Sequence, residues 1–177
     1  MIGFILCAGL GERLKPLTND VPKPMIKVGG MPVLEHIVNH MHSHGIKTIM
    51  VNVHYKAEKI MEYFGDKLIY IHEPVLLGDI KTTKQIVPLI NNHLVVMNGD
   101  TLTDINIGQM VNDATRLNSS IASFDGMTYT GTTLYNKNNT QLTLMEYGCY
   151  WRDIGTPESL KIAQEEYENK ARMSKLL

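Results

Sequence analysis

The chain has 177 residues, which suits a single domain, and its 44% hydrophobic content is enough for one apolar core. The net charge of −1 gives no electrostatic basis for binding nucleic acid or a membrane surface, and no apolar run approaches the roughly 18 residues of a membrane span. Met1 leads straight into an apolar run, which leaves no room for a signal peptide, and Cys7 and Cys149 suit a reducing compartment, so we expect a cytoplasmic protein.

Apolar runs alternate with helical patterns along the first 117 residues. This alternation predicts an α/β fold with a mostly parallel sheet and helices on both faces. Ligands bind such sheets beyond the carboxyl ends of the strands. The predicted strands are 2–8, 47–53, 67–72 and 94–97, and the predicted helices are 32–44, 56–64, 80–90 and 105–116.

The composition changes at residue 118. Residues 118–147 are rich in Asn, Thr, Ser and Gly, with short β-like pieces at 120–124, 130–135 and 141–146. We expect them to form a small, irregular β segment over the sheet. A last helix is predicted to follow Thr156, a good N-cap, with Pro157 as its first residue, and to continue to about residue 171.

A glycine-rich turn follows the first strand. It contains Gly9, Gly11 and Arg13, and Lys23 follows between two prolines. Glycines let backbone N–H groups approach a phosphate closely, and the arginine and lysine bring positive charge to the same oxygens. The pattern predicts a polyphosphate site, although a tight turn with a surface arginine would explain the two glycines alone.

Two common phosphate motifs do not fit this turn. The chain has no Gly-x-x-x-x-Gly-Lys-Ser/Thr, which disfavours a P-loop NTPase. The dinucleotide-binding fingerprint requires a third glycine that the turn lacks.

Two aspartates follow apolar segments farther along the chain. Asp100 comes after Gly99 at the end of a buried strand, where it would hold Mg²⁺ over a nucleotide triphosphate or cap a helix. Asp153 lies in a short apolar stretch, where a carboxylate is costly unless it is paired, metal-bound or capping the next helix.

Together these segments resemble the sugar-1-phosphate nucleotidyltransferases, also called NDP-sugar pyrophosphorylases. The family's Gly-x-Gly-x-Arg and Pro-Lys-Pro match residues 9–13 and 22–24. Its Gly-Asp matches residues 99–100, and its Trp-x-Asp-Ile-Gly-Thr-Pro-Glu matches residues 151–158. The short form most resembles the manno-heptose and mannose-1-phosphate guanylyltransferases.

The resemblance implies a Rossmann-like nucleotidyltransferase core with a shortened β appendage in one domain, 1–177. Residues 1–117 would form the nucleotide-binding core, 118–147 a reduced acceptor-side β segment, and 148–177 the second metal-aspartate motif and the C-terminal helix. The implied partners are an NTP and a small phosphorylated acceptor, with a homo-oligomer left open.

The implied reaction is Mg²⁺-dependent attack of a sugar-1-phosphate oxygen on the α-phosphorus of the NTP, which releases pyrophosphate and makes an NDP-sugar. Arg13 and Lys23 would be catalytic, and Asp100 and Asp153 would bind the metal. The implied nucleotide-binding residues are Leu6, Ala8, Gly9, Leu10, Gly11, Glu12, Gly78, Asp79 and Gly99.

The chain departs from the family in two places. Asp79 and Lys81 follow Gly78 where small residues are usual, which affects base recognition. The acceptor-side region lacks the Glu-Lys pair that is usual in the family. Lys137 is the lysine of this region that is available to an acceptor phosphate, and residues 130–132 are the candidate remnant of an Asn-Ala-Gly turn. Two alternatives therefore stay open: nucleotidyl transfer, for example of a cytidylyl group, to a small non-sugar phosphorylated acceptor, and an inactive nucleotide-binding or scaffold protein.

Overall fold

The computed structural model describes residues 1–174, which form five α-helices and eleven strands. The helices are α1 (Val33–Ser43), α2 (Ala57–Phe64), α3 (Asp79–Ile86), α4 (Ile107–Leu117) and α5 (Pro157–Ser174). The strands are β1 (Ile2–Leu6), β2 (Lys27–Val28), β3 (Met31–Pro32), β4 (Thr48–Val53), β5 (Ile69–His72), β6 (Leu94–Asn98), β7 (Thr101–Thr103), β8 (Ser120–Asp125), β9 (Thr128–Tyr135), β10 (Leu142–Glu146) and β11 (Trp151–Asp153).

Seven strands form the central sheet in the order β10-β8-β9-β6-β1-β4-β5. β1 pairs in parallel with both β4 and β6, so that Ile2 lies opposite Thr48 on one side and Leu94 on the other. β5 pairs in parallel with β4. The four parallel strands therefore end at one edge of the sheet, and the predicted mostly parallel α/β fold is confirmed.

Apolar side chains alternate between the two faces of the sheet, as expected for strands buried on both sides. Ile5 and Val95 belong to the larger core, which includes residues of α1, α2, α4 and α5. Phe4 and Val96 belong to a smaller cluster, against which Ile86 of α3 packs. Helices thus cover both faces, and α3 is the helix on the face that carries the smaller cluster.

Several predicted boundaries differ from the structure for local reasons. The helix predicted for 80–90 ends at Ile86 and continues as a short 3₁₀ turn, because Pro88 has no N–H to donate. The helix predicted for 105–116 begins at Ile107, because the Asn106 side chain caps it by accepting a hydrogen bond from the backbone N of Gln109 at 3.0 Å.

Residues 118–147 extend the sheet, whereas we predicted a β segment lying over it. β9 pairs antiparallel with β6, and β8 and β10 follow it toward one edge. Residues 130–132, predicted as a turn remnant, lie within β9. Lys137 follows the end of β9 that pairs with the start of β6, so it lies at the edge opposite the carboxyl ends of the parallel strands, and its prediction as an acceptor-side residue is wrong.

Two short strands that we did not predict join distant parts of the chain. β7 and β11 pair antiparallel, with Asp153 opposite Thr101. The backbone N of Ile154 then donates a hydrogen bond to the carbonyl oxygen of Asp100 at 2.9 Å. Within residues 1–174, no helix combines the length and apolar character needed to cross a membrane.

Candidate active site

The glycine-rich turn begins where β1 ends, and Gly11 allows it to pack closely. Gly11 has a φ of +68°, which favours glycine, and its carbonyl oxygen accepts a hydrogen bond from the Thr18 hydroxyl at 2.8 Å. A Cβ at Gly11 would lie 3.1 Å from the Cβ of Lys23. The glycine therefore lets the Pro-Lys-Pro segment approach the turn.

Gly99 brings Asp100 to the same turn. Its backbone N donates a hydrogen bond to the carbonyl oxygen of Leu6 at 2.9 Å, and a Cβ there would lie only 2.6 Å from that oxygen. Any larger residue would separate the end of β6 from the end of β1. Asp100, which follows, forms a half-buried ion pair with the ammonium of Lys23.

Three charged side chains converge beside Gly155, which follows β11. The position that a Cβ of Gly155 would occupy lies 2.5 Å from Oδ1 of Asp153, 2.7 Å from Nη2 of Arg13 and 3.2 Å from Nζ of Lys23. The backbone N of Gly155 also donates a hydrogen bond to Oδ1 of Asp153. With the Lys23–Asp100 pair, all four predicted charged residues meet at one place.

A cavity of about 420 Å³ opens at this place, and most of the predicted nucleotide-binding residues line it. Its size suits a small-molecule site. Ala8, Gly78 and Asp153 do not line the cavity. Asp153 lies next to it, because its Oδ1 accepts a hydrogen bond from the backbone N of Gly155, which lines the cavity. The predicted residues that line the cavity are Leu6, Gly9, Leu10, Gly11, Glu12, Arg13, Lys23, Asp79, Gly99 and Asp100.

Four residues of the cavity wall were not predicted: Cys7, Pro24, Asn98 and Gly155. Pro24 and Gly155 belong to the quoted motifs, so their motifs were the signal that could have identified them. Asn98 precedes Gly99 and Cys7 ends the first apolar run, and neither residue type indicates a phosphate site by itself.

The cavity also contains acidic groups that influence one another. Burial raises the pKa of Asp79, and the nearby carboxylates Asp100 and Glu73 raise it further, while Lys23 opposes them. Burial likewise raises the pKa of the Cys7 thiol, with Asp100 and Asp79 adding to the effect. The carboxylates of Asp79 and Asp100 thus influence each other in one part of the wall, beside the ammonium of Lys23.

A second cavity of about 310 Å³ adjoins the first and shares Leu6, Asp79 and Asn98 with it. It lies between α3 and β9, and its other polar lining groups are Thr83, Tyr129, Thr133 and Tyr135. Asp79 therefore lies at the boundary between the two cavities.

The chain is similar to several known proteins. A family model described as nucleotidyl transferase matches residues 2–135, a range that includes Arg13, Lys23 and Asp100 but ends before Asp153. A D-glycero-alpha-D-manno-heptose 1-phosphate guanylyltransferase from Campylobacter jejuni is 39% identical over 115 residues, which cover 62% of this chain and 52% of that protein. The chain belongs to the nucleotidyl transferase family, as its motifs predicted.

A longer relative and a solved structure also match this chain. The bifunctional protein GlmU of Methanococcus aeolicus is 34% identical over 152 residues, covering 82% of this chain and 36% of that protein. The chain thus spans about half or less of these two relatives. A UDP-glucose pyrophosphorylase structure from Acinetobacter baumanii, 14% identical, superimposes with a TM-score of 0.81 and covers 100% of both chains, which shows a shared fold.

Proposed function

We propose that this chain transfers a nucleotidyl group from an NTP to a sugar-1-phosphate, releasing pyrophosphate and forming an NDP-sugar. The observation that carries the proposal is the convergence of Arg13, Lys23, Asp100 and Asp153 beside a cavity lined by the glycine-rich turn. Two cations and two carboxylates at one sheet edge suit a metal-bound triphosphate.

The reaction requires positioning and charge neutralisation more than proton transfer. A phosphate oxygen of the acceptor, already ionised, forms a bond to the α-phosphorus, and the bond from that phosphorus to the bridging oxygen of pyrophosphate breaks. We assign Arg13 to the leaving pyrophosphate and Lys23 to the α-phosphate. Backbone N–H groups of residues 10–12 would orient the triphosphate.

Asp100 and Asp153 fit a magnesium ion. Asp100 immediately precedes β7 and Asp153 is the last residue of its partner β11, and their carboxylates supply the oxygen ligands that this ion prefers. When bound, Mg²⁺ would neutralise charge on phosphate oxygens.

The second cavity is where we place the acceptor. Tyr129 offers an aromatic surface, Thr133 a hydroxyl, and Asp79 a carboxylate that can accept hydrogen bonds from sugar hydroxyls. The guanylyltransferase among the relatives makes a manno-heptose 1-phosphate the first acceptor to test. We also propose a cytoplasmic location.

The turn between β8 and β9 favours one alternative. Only Gly126 and Met127 connect these strands, so the hairpin has no insertion that could add acceptor contacts. A smaller, non-sugar phosphorylated acceptor would suit this short hairpin. The reaction at the α-phosphorus would be unchanged.

Pyrophosphate release tests the proposal. Purified full chain is assayed with each of GTP, CTP, UTP, ATP and dTTP plus Mg²⁺, against heptose-1-phosphates, mannose-1-phosphate, glucose-1-phosphate and small phosphorylated alcohols. We expect release with one triphosphate and a sugar-1-phosphate. Release only with a non-sugar acceptor supports the alternative, and no release with any pair, together with nucleotide binding, supports an inactive binding protein.

Asp100→Asn tests the metal role. We expect loss of Mg²⁺-dependent turnover with a circular dichroism spectrum like that of the parent chain, because the substitution keeps the shape and removes the charge. Asp113→Asn is the matched control, since Asp113 pairs with Arg116 on α4, outside the cavity wall. Turnover by the Asp100 variant at the parent rate would refute the assigned role.

A further inference from the structure

Glu73 is a buried carboxylate immediately after β5, and it is not in the wall of either cavity that holds Asp79. It is only 5% exposed. Burying a charged group is costly unless hydrogen bonds satisfy it. The groups that donate hydrogen bonds to this carboxylate therefore indicate which parts of the chain it holds together.

Three donors surround this carboxylate. Oε1 accepts hydrogen bonds from Nδ2 of Asn52 at 2.9 Å and from the Thr82 hydroxyl at 2.5 Å. Oε2 accepts one from the backbone N of Leu77 at 3.2 Å. These hydrogen bonds outweigh the effect of burial and, helped by nearby His54, hold the pKa of Glu73 below its usual range.

Asn52 continues the chain of hydrogen bonds to the glycine-rich turn. It is buried on β4, and its Oδ1 accepts a hydrogen bond from the backbone N of Cys7 at 2.6 Å. Cys7 lies between the end of β1 and Gly9, and it lines the nucleotide cavity. A continuous path thus runs from the start of that turn, through Asn52 and Glu73, to α3.

The loop at the other end of this path has few other supports. Residues 74–78 are exposed, and Val75 retains 69% of its accessible surface. The loop leads into Asp79, which lines both cavities. Because so little apolar area is buried there, the hydrogen bonds from Leu77 and Thr82 to Glu73 are important in fixing its position.

We infer that Glu73 is a positioning residue that, with Asn52, fixes loop 74–78 against the glycine-rich turn and thereby sets NTP affinity and base selection. The inference rests on the proposed function. Glu73 acts through the backbone of Cys7 and Leu77 and through Thr82 rather than by touching substrate. Its loss should therefore affect binding of the NTP more than the chemical step.

Glu73→Gln is the direct test, because a glutamine keeps the size but cannot accept from all three donors. Its amide nitrogen is itself a donor. In either orientation it would face another donor, which is the Leu77 N–H in one case and the Asn52 amide with the Thr82 hydroxyl in the other. Thr82→Val removes one donor and leaves the carboxylate, and it serves as the milder second variant. Asp113→Asn is the control for a carboxylate-to-amide change elsewhere.

Each variant is measured with the five triphosphates and Mg²⁺, by binding titration and by steady-state kinetics at saturating acceptor. For Glu73→Gln we expect KM of the preferred triphosphate to rise about tenfold while kcat falls less than about threefold. The preference for that base over the next should shrink at least about fivefold, a change that general destabilisation would not produce. Thr82→Val should change the same quantities less, and Asp113→Asn should leave them alone.

Two results separate the inference from the function. If the parent chain binds none of the triphosphates, the proposed function fails. If the parent binds and turns over one of them, and Glu73→Gln matches it in KM and base preference, only the positioning role of Glu73 is overturned. A variant that loses kcat with unchanged KM would also contradict that role.

Discussion

Gly155→Ala is the most direct test of the charged cluster, because the added methyl group would enter its centre. The φ of Gly155 is outside the left-handed region, so the backbone accepts an alanine. Ordinary contact begins at 3.4 Å, whereas the new Cβ would lie 2.5 Å from Asp153 Oδ1 and 2.7 Å from Arg13 Nη2. Those two groups must therefore retreat by roughly 0.9 Å and 0.7 Å, while Lys23 need move only slightly.

A displacement of this size has a different effect on activity and on stability. Misplacing catalytic groups by about 1 Å can lower a rate about 100-fold, and we expect a loss of that order in kcat/KM. The unfolding free energy should change by no more than about 1 kcal/mol, since replacing glycine by alanine reduces the entropy of the unfolded chain and partly offsets the strain. That limit corresponds to about 2–4 °C in Tm.

The assay compares pyrophosphate release and thermal unfolding of Gly155→Ala with those of Gly108→Ala. Gly108 lies on α4, where a Cβ would meet only the Asn106 side chain at 3.2 Å. The control should keep full activity. A Gly155→Ala chain with the kcat/KM of the parent would show that the cluster beside Gly155 is not needed for turnover. That result would refute the roles assigned to Arg13, Lys23 and Asp153.

Two further predictions follow from the pKa shifts. The folded state lowers the pKa of Glu73, so its ionised form stabilises the fold above its usual pKa, and this contribution is lost as the pH falls through the folded value. The Tm difference between the parent and Glu73→Gln should therefore shrink from roughly pH 5 to pH 3, and a constant difference would contradict the assignment. Burial and two carboxylates raise the pKa of Cys7, so iodoacetamide at about pH 8 should label half-buried Cys149 first, as followed by peptide mass spectrometry, whereas urea should equalise the two. Faster labelling of Cys7 in the folded chain would be inconsistent with its burial.

The local features of the site follow from short stretches of sequence. A glycine at position 11 is required by the backbone conformation of the turn, and Lys23 is fixed between two prolines 12 residues farther along the chain. The alternation of apolar runs and helical patterns was enough to predict the parallel strands of the first 117 residues. These features depend on sterics and side-chain periodicity within short segments, which can be recognised without knowing the fold.

Which distant segments meet depends on strand pairing and could not be predicted from those short stretches. Asp153 reaches Asp100 only because β11 pairs with β7, and both strands are too short to show a pattern. Residues 118–147 extend the sheet because β9 finds a partner in β6, an outcome that depends on packing of the whole core. The hydrogen-bonded connection from Glu73 through Asn52 to Cys7 joins residues that are 21 and 45 positions apart in the chain. Such contacts are set by strand order and register, which depend on the total buried surface rather than on any one segment.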